Sequence, residues 1–425
     1  MRSTRVQNDV RWWKKYTELA TLFFIHALAM GMWLVPLGTV LKGNGLEHLV
    51  PSAFAVGGIS AFISPLLFGA LADHHYSPVK ILRVLAVCTS LAMALASTAI
   101  GYRWGWVPVL VILQIHSLFS APTFGISTTI VLSRLGNAKR EFGPIRAVAT
   151  LGWMSGCWIV SRMNFDASSG AGYGGAIAWM LVAAYTFTLP SVNPPASPHP
   201  LNWKQRLGLD ALSLLKDKDT RTVFICAAIY NIPLAAFYPY SPIHMGDLGL
   251  KGTTALMTLG QITEIIAMLS MASLLTHWRL KWIFLTGISF GILRYVLCAI
   301  GGKFCLLAGI TLHGFAFALF FITAQIYLEQ RIPPAWRARA QALLTLMMNG
   351  IGATIGYYAC GGWKHLTTTD THTNWPLFWG GLASSVTVIW VWFAWSYHGR
   401  PGADPAEFIP PTLPAGAPVT PGCAE

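Results

Sequence analysis

The feature that most constrains this chain is a succession of apolar stretches, each about twenty residues long, separated by short polar loops. A stretch of that length crosses the ~30 Å hydrocarbon core of a bilayer as a helix. In lipid, only helices and closed barrels satisfy their own backbone. Twelve stretches are read, at about 17–41, 50–71, 80–101, 106–131, 145–164, 174–190, 220–244, 253–276, 280–300, 303–330, 339–361 and 375–397. Charged residues are 11% of the chain, against about 25% in soluble domains. The sequence therefore predicts an all-α membrane protein of twelve transmembrane helices embedded in the lipid bilayer. The loops leave no room for a separate catalytic domain.

The formal net charge is +13, and its distribution sets topology. With both termini cytoplasmic, 21 of the 29 Lys and Arg face the cytoplasm. Six face outward (Lys42, Arg103, Arg162, Lys251, Lys303 and Lys364), and Arg146 and Arg294 fall inside helices. This is the positive-inside pattern of a multi-pass inner-membrane protein, so the basic excess predicts no nucleic-acid partner. The basic start, residues 1–16, is read as a cytoplasmic segment rather than a cleavable signal, because no cleavage site follows the first apolar run. The 7 cysteines show neither metal-ligand nor disulfide spacing. No glycine-rich phosphate loop precedes a lysine, which argues against an ATP-driven pump. No cofactor is expected, and the protein is expected to act as a monomer and not as an enzyme.

The longest internal linker, residues 191–219, opens Pro-rich and continues with mixed charge. It divides the chain into six-helix halves, 17–190 and 220–400, followed by a tail at 401–425 expected to be disordered. A weak internal repeat agrees with the division. Pro144-Ile-Arg146 precedes one small-residue helix, and Pro334-Ala-Trp-Arg337 precedes another. Paired halves are the plan of major facilitator transporters, whose substrate site lies near the midplane between them.

Glu264 is the acidic residue that falls at membrane depth, where a carboxylate is costly and marks a pathway or a proton site. Gln261 shares its helical face. In span 5, Arg146, Thr150 and Trp153 follow at i, i+4 and i+7, giving one face a cation, a hydroxyl and an aromatic plate. In span 1, His26, Met30 and Trp33 have the same spacing, and a histidine suits proton exchange. Span 7 offers Asn231, Ala235 and Tyr238, and span 10 offers His313 and Phe317. Arg294 is read as a structural partner or interface anchor. Asp73, closing span 2, is read as a gating latch at the cytoplasmic mouth.

These residues resemble the bacterial nucleoside:proton symporters of the major facilitator superfamily. The matching stretches include Gly31-Met-Trp33, Gly69 to Asp73, Pro144-Ile-Arg146 with Thr150 and Gly152, Gln261-Ile-Thr-Glu264, Ile292-Leu-Arg294 and Met347-Met-Asn-Gly350. The resemblance implies that Arg146, Thr150, Gln261, Glu264 and Phe317 line a nucleoside site, and that Trp153 stands for a family phenylalanine. Other positions depart. Ala235 and Tyr238 replace a glutamine and an asparagine, His313 a tyrosine, Ala318 an aspartate and His26 a glutamine. The expected ligand is a nucleoside-like small molecule moved with protons, which Glu264 or His26 would carry. Sugar uptake, export of amphipathic compounds and a non-transporting receptor are the rival readings.

Overall fold

The apolar runs form helices joined by short turns. The computed structural model describes residues 2–74, 76–136, 138–191, 202–369 and 372–399. The helices are α1 (Tyr16–Gly43), α2 (Val50–His74), α3 (Pro78–Gly101), α4 (Trp106–Leu132), α5 (Ala138–Arg162) and α6 (Gly170–Tyr185). They continue with α7 (Lys218–Asp247), α8 (Leu259–His277, led by the turn Thr253–Leu256), α9 (Leu280–Ile300), α10 (Lys303–Arg331), α11 (Trp336–Leu366) and α12 (Trp375–Ser396). Among the described residues, 9 helical segments are long and apolar enough to cross a membrane. The fold is that of an all-α, multi-pass membrane protein. The expected tail and the Pro-rich opening of the linker, 192–201, lie outside the described residues.

The bounds of α5 and α6 differ from expectation. α5 begins at Ala138, so Pro144 lies within the helix instead of before it. α6 is Gly170–Tyr185, not 174–190, and is only 16 residues long. Its last turn is closed by Arg83, whose Nε donates to Thr186 Oγ1 at 2.9 Å and whose Nη2 donates to the Thr186 carbonyl at 3.1 Å. A cation on the last carbonyls ends a helix favourably.

α1 to α6 pack together, as do α7 to α12. The two groups are built alike at their centres. α5 lies directly on α1, where a Cβ on Gly152 or Gly156 would run into the carbonyls of Phe24 or Leu28. α11 lies on α7 in the same way, with Gly352 and Gly356 against the carbonyls of Ala228 and Ile232. Small residues at such crossings let backbones touch where lipid offers no hydrophobic drive for association. The groups meet along α2 and α11, along α5 and α8, and at the ends of α1 and α7.

Several helices are interrupted beside this central seam. α1 turns at Val35 and Pro36, α4 at Ala121 and Pro122, and α7 at Ala235 and Ala236, just after Pro233. Proline removes a helical N–H and crowds the preceding turn, which accounts for breaks next to it. α10 and α11 contain π-helical turns at Ala318–Ile322 and Leu346–Gly352. Ion pairs cross the seam at one end, Lys42–Asp247 at 2.5 Å and Lys364–Glu47 at 2.7 Å. At the same end, Asp166 Oδ1 accepts from the Thr254 N–H at 2.8 Å and Ser161 Oγ accepts from the Ala255 N–H at 2.9 Å. The mixed-charge half of the linker forms two short helices, Trp203–Arg206 and Leu209–Lys216. They are held to α11 by an Arg339–Asp210 pair at 2.9 Å.

Candidate functional site

A cavity of about 370 Å³ lies at the seam between the two helix groups. Small-molecule sites commonly occupy about 300–1,000 Å³. One wall comes from α1, α4 and α5, with His26, Met30, Phe124, Arg146, Thr150 and Trp153. The facing wall comes from α7, α8, α10 and α11, with Asn231, Tyr238, Gln261, Glu264, His313 and Phe317. Helical periodicity explains the α5 contribution, since Arg146, Thr150 and Trp153 fall on one stripe. α8 is brought close by its crossing with α10, where a Cβ on Gly314 would strike the Glu264 backbone nitrogen and the Gly260 carbonyl. That crossing puts Glu264 and His313 in the same cavity.

The cation and the carboxylate come from opposite walls. Arg146 and Glu264 interact electrostatically across the cavity. The Arg146 guanidinium also lies 4.9 Å from the Phe124 ring centroid. His26 Nε2 is 2.9 Å from Thr123 Oγ1, whose own hydroxyl donates to the Ser120 carbonyl at 2.6 Å. The Thr123 proton is thus already used, so His26 Nε2 is the donor and Nδ1 is the acceptor of the neutral ring. On the other wall, Tyr238 lies 6.1 Å from Trp153 and 6.0 Å from His313 between ring centroids. Two buried polar atoms of this lining have no protein partner, Trp153 Nε1 and Gln261 Oε1. A buried group of this kind costs free energy until something binds it. The cavity thus offers an indole donor, an amide acceptor, a cation, a carboxylate and two faces of aromatic rings to one small polar solute.

Residues 14–400 match the family described as Nucleoside H+ symporter. The chain belongs to this family. It is 30% identical to the putative nucleoside transporter YegT of Escherichia coli over 363 residues, covering 81% of this chain and 83% of that protein. It is 28% identical to the nucleoside permease NupG of Escherichia coli over 385 residues, covering 85% of this chain and 91% of the permease. A crystal structure of the nucleoside transporter NupG aligns with a TM-score of 0.80 and 25% identity, covering 91% of this chain and all of that one. Family membership decides the class left open by the residues alone. The protein is a proton-coupled secondary transporter that imports nucleosides or nucleoside-like solutes.

Within this symporter, the structure separates residues that sequence spacing had grouped. Trp33 does not line the central cavity. It turns into its own helix group, lines a smaller cavity of about 110 Å³ and lies 6.0 Å from His116. Its ring packs where a Cβ on Gly172 would sit, which draws the indole toward α6 and away from the seam. The side chain of Asp73 lies outside the described residues. Asn231 lines the cavity but commits its amide nitrogen to the Met348 carbonyl at 2.7 Å. The aromatic lining residues Phe124, Phe237 and Tyr357 were not singled out in the sequence, and Asn349, there only part of a matching stretch, also lines the cavity. Each lies next to a helix irregularity or on α11. The available signal was Pro122 before Phe124 and Pro233 before Phe237.

Proposed function

We propose that the symporter binds its nucleoside in the central cavity, with Arg146, Thr150, Gln261 and Glu264 hydrogen-bonding the ribose and base. Trp153 and Phe317 enclose the base as apolar plates. The observation that carries this reading is the two-walled lining: the groups come from both halves of the seam. A solute that bridges the two walls is released when they separate, which is what alternating access requires. Glu264 carries the coupled proton, because it is a carboxylate at membrane depth that lines the cavity beside the solute. His26, which lines the same cavity, is the second candidate. Both termini lie in the cytoplasm and the chain works as a monomer in the inner membrane. The basic loops support that orientation.

The test is uptake into proteoliposomes with an imposed pH gradient. Glu264→Gln keeps the shape of the site and should retain downhill exchange of labelled uridine while losing uphill accumulation. His26→Ala should have the smaller effect on coupling. Accumulation by Glu264→Gln against a gradient would move the proton to His26. Competition by nucleosides but not by sugars tests the site itself.

A further inference from the structure

Arg294 lies outside the cavity lining and is 1% exposed, in the second half of α9. A guanidinium buried at this depth usually answers a carboxylate. No salt bridge joins it to one among the described residues. Its charge is spent on three other groups. Nη2 donates to Tyr295 Oη at 2.5 Å, and that hydroxyl donates onward to the Pro233 carbonyl at 2.5 Å, beside the α7 break. The guanidinium carbon lies 5.2 Å from the centroid of Phe237, which stacks on the His313 ring at 3.7 Å. Nη1 lies 2.5 Å from His313 Nδ1.

The last contact has a chemical consequence. Arginine has five N–H donors and no acceptor. His313 Nδ1 must therefore be the acceptor, and the ring proton must be on Nε2. Stacking on Phe237 holds the ring plane. His313 lines the cavity, whereas Arg294, which holds its Nδ1, does not. From these contacts we infer that Arg294 is a positioning residue that fixes His313 as an Nε2–H donor toward the substrate, so that this wall selects nucleosides with a base carbonyl. The inference rests on the proposed binding site. While Arg294 donates to Nδ1, that nitrogen's lone pair is occupied and it cannot take the ring's second proton. His313 is thus a specificity group, and proton coupling is left to Glu264 and His26. An arginine that only filled space would leave the ring free to choose its tautomer.

Two measurements test this. The first needs no ligand: solid-state NMR of the protein labelled with ¹⁵N-histidine, with the His313 signal identified by its loss in His313→Phe. The expected spectrum of the parent shows an unprotonated, hydrogen-bonded Nδ1 and a protonated Nε2. A proton on Nδ1 in the parent overturns the inference. The second measures affinity of the purified protein for inosine and for purine riboside, which lacks the base carbonyl. The parent should prefer inosine by about 3- to 10-fold, the worth of one buried hydrogen bond. His313→Phe and Arg294→Met should both erase the preference, and Arg294→Lys should restore part of it. A preference that survives in Arg294→Met refutes the positioning role. If Arg294→Met does not fold, His313→Phe and the parent spectrum still decide. If the parent binds neither nucleoside, the proposed site fails while the tautomer remains testable by the spectrum alone.

Discussion

Arg146 and Glu264 face the cavity from opposite walls, one a cation and the other a carboxylate. Arg146 sits over Phe124 at 4.9 Å, and its guanidinium lines the cavity as a donor. A hydrogen bond to a charged group is worth roughly 1.5–3 kcal/mol, or about 10- to 150-fold in affinity. Arg146→Ala should therefore lose uridine binding by that factor in the purified protein while keeping the parent's melting temperature. Near-normal affinity would remove Arg146 from the site. The α7 face predicts breadth of choice. Ala235 supplies no side-chain donor, and the Tyr238 hydroxyl stands 3.4 Å from Gln261 Nε2, so it is partly occupied. Affinities within a nucleoside panel should then differ by much less than a thousand-fold, and a sharper ranking would contradict this. At this scale the sequence showed spacing but not direction. Arg146, Thr150 and Trp153 fall on one stripe and all reach the cavity. His26 and Trp33 have the same separation as Arg146 and Trp153, yet Trp33 points into its own helix group. Periodicity is a local property, whereas the side of a helix that meets the seam depends on neighbours such as Gly172. Arg294 was legible as a buried cation, but its partner His313 lies on another helix and needed the tertiary structure.

The central elements are pairs of helices in backbone contact, and their glycines mark the contact. Gly152 meets the Phe24 carbonyl and Gly352 meets the Ala228 carbonyl. A methyl group at either position forces helices apart, and overpacking of this kind costs about 1–3 kcal/mol. Gly362, also on α11, has nothing within 4 Å of an added Cβ. The same substitution should therefore act oppositely. Gly152→Ala and Gly352→Ala should lower the melting temperature in detergent. Gly362→Ala should leave it unchanged or raise it, since alanine is the better helix former by about 1 kcal/mol. Equal effects at the three sites would show that helix propensity, not close approach, sets the cost. The long apolar runs made the helices legible, because lipid allows such segments little else. The interruptions were less so. Pro36 and Pro122 announce breaks in α1 and α4, but Pro144 lies inside α5 without ending it. The π-helical turns of α10 and α11 have no comparable signal, because an extra residue in a turn depends on what the helix packs against. They flank Phe317 and contain Asn349, so part of the site's shape arises from features that the sequence does not announce.

For the whole molecule, the question is which end of the seam is closed. Lys42–Asp247 and Lys364–Glu47 both join the first helix group to the second at the same end. In the proposed orientation, with the basic loops in the cytoplasm, this end lies outside the cell. All four side chains are roughly one-eighth to one-third exposed, so each pair is worth about 0.2–1 kcal/mol. Both pairs must break before the outer ends of α1 and α7, and of the α2 entry and α11, can separate. They therefore favour the outward-closed state by up to about 2 kcal/mol in total, which is about 30-fold in population. Removing the lysines leaves the cavity lining untouched, because Lys42 and Lys364 are not part of it. The expected result for Lys42→Ala with Lys364→Ala is a shift toward the outward-open state, with single variants between it and the parent. The readout is the distance between spin labels at Trp104 and Lys251, exposed positions on opposite groups at this end. Lys303→Ala removes an exposed outer cation of the second group and serves as the control for charge alone. Salt should mimic the double variant, since partly exposed pairs are screened. If the distance distribution of the double variant matches that of the parent and of Lys303→Ala, the pairs do not gate the seam. The closed end would then be held by backbone contacts such as Asp166 with Thr254.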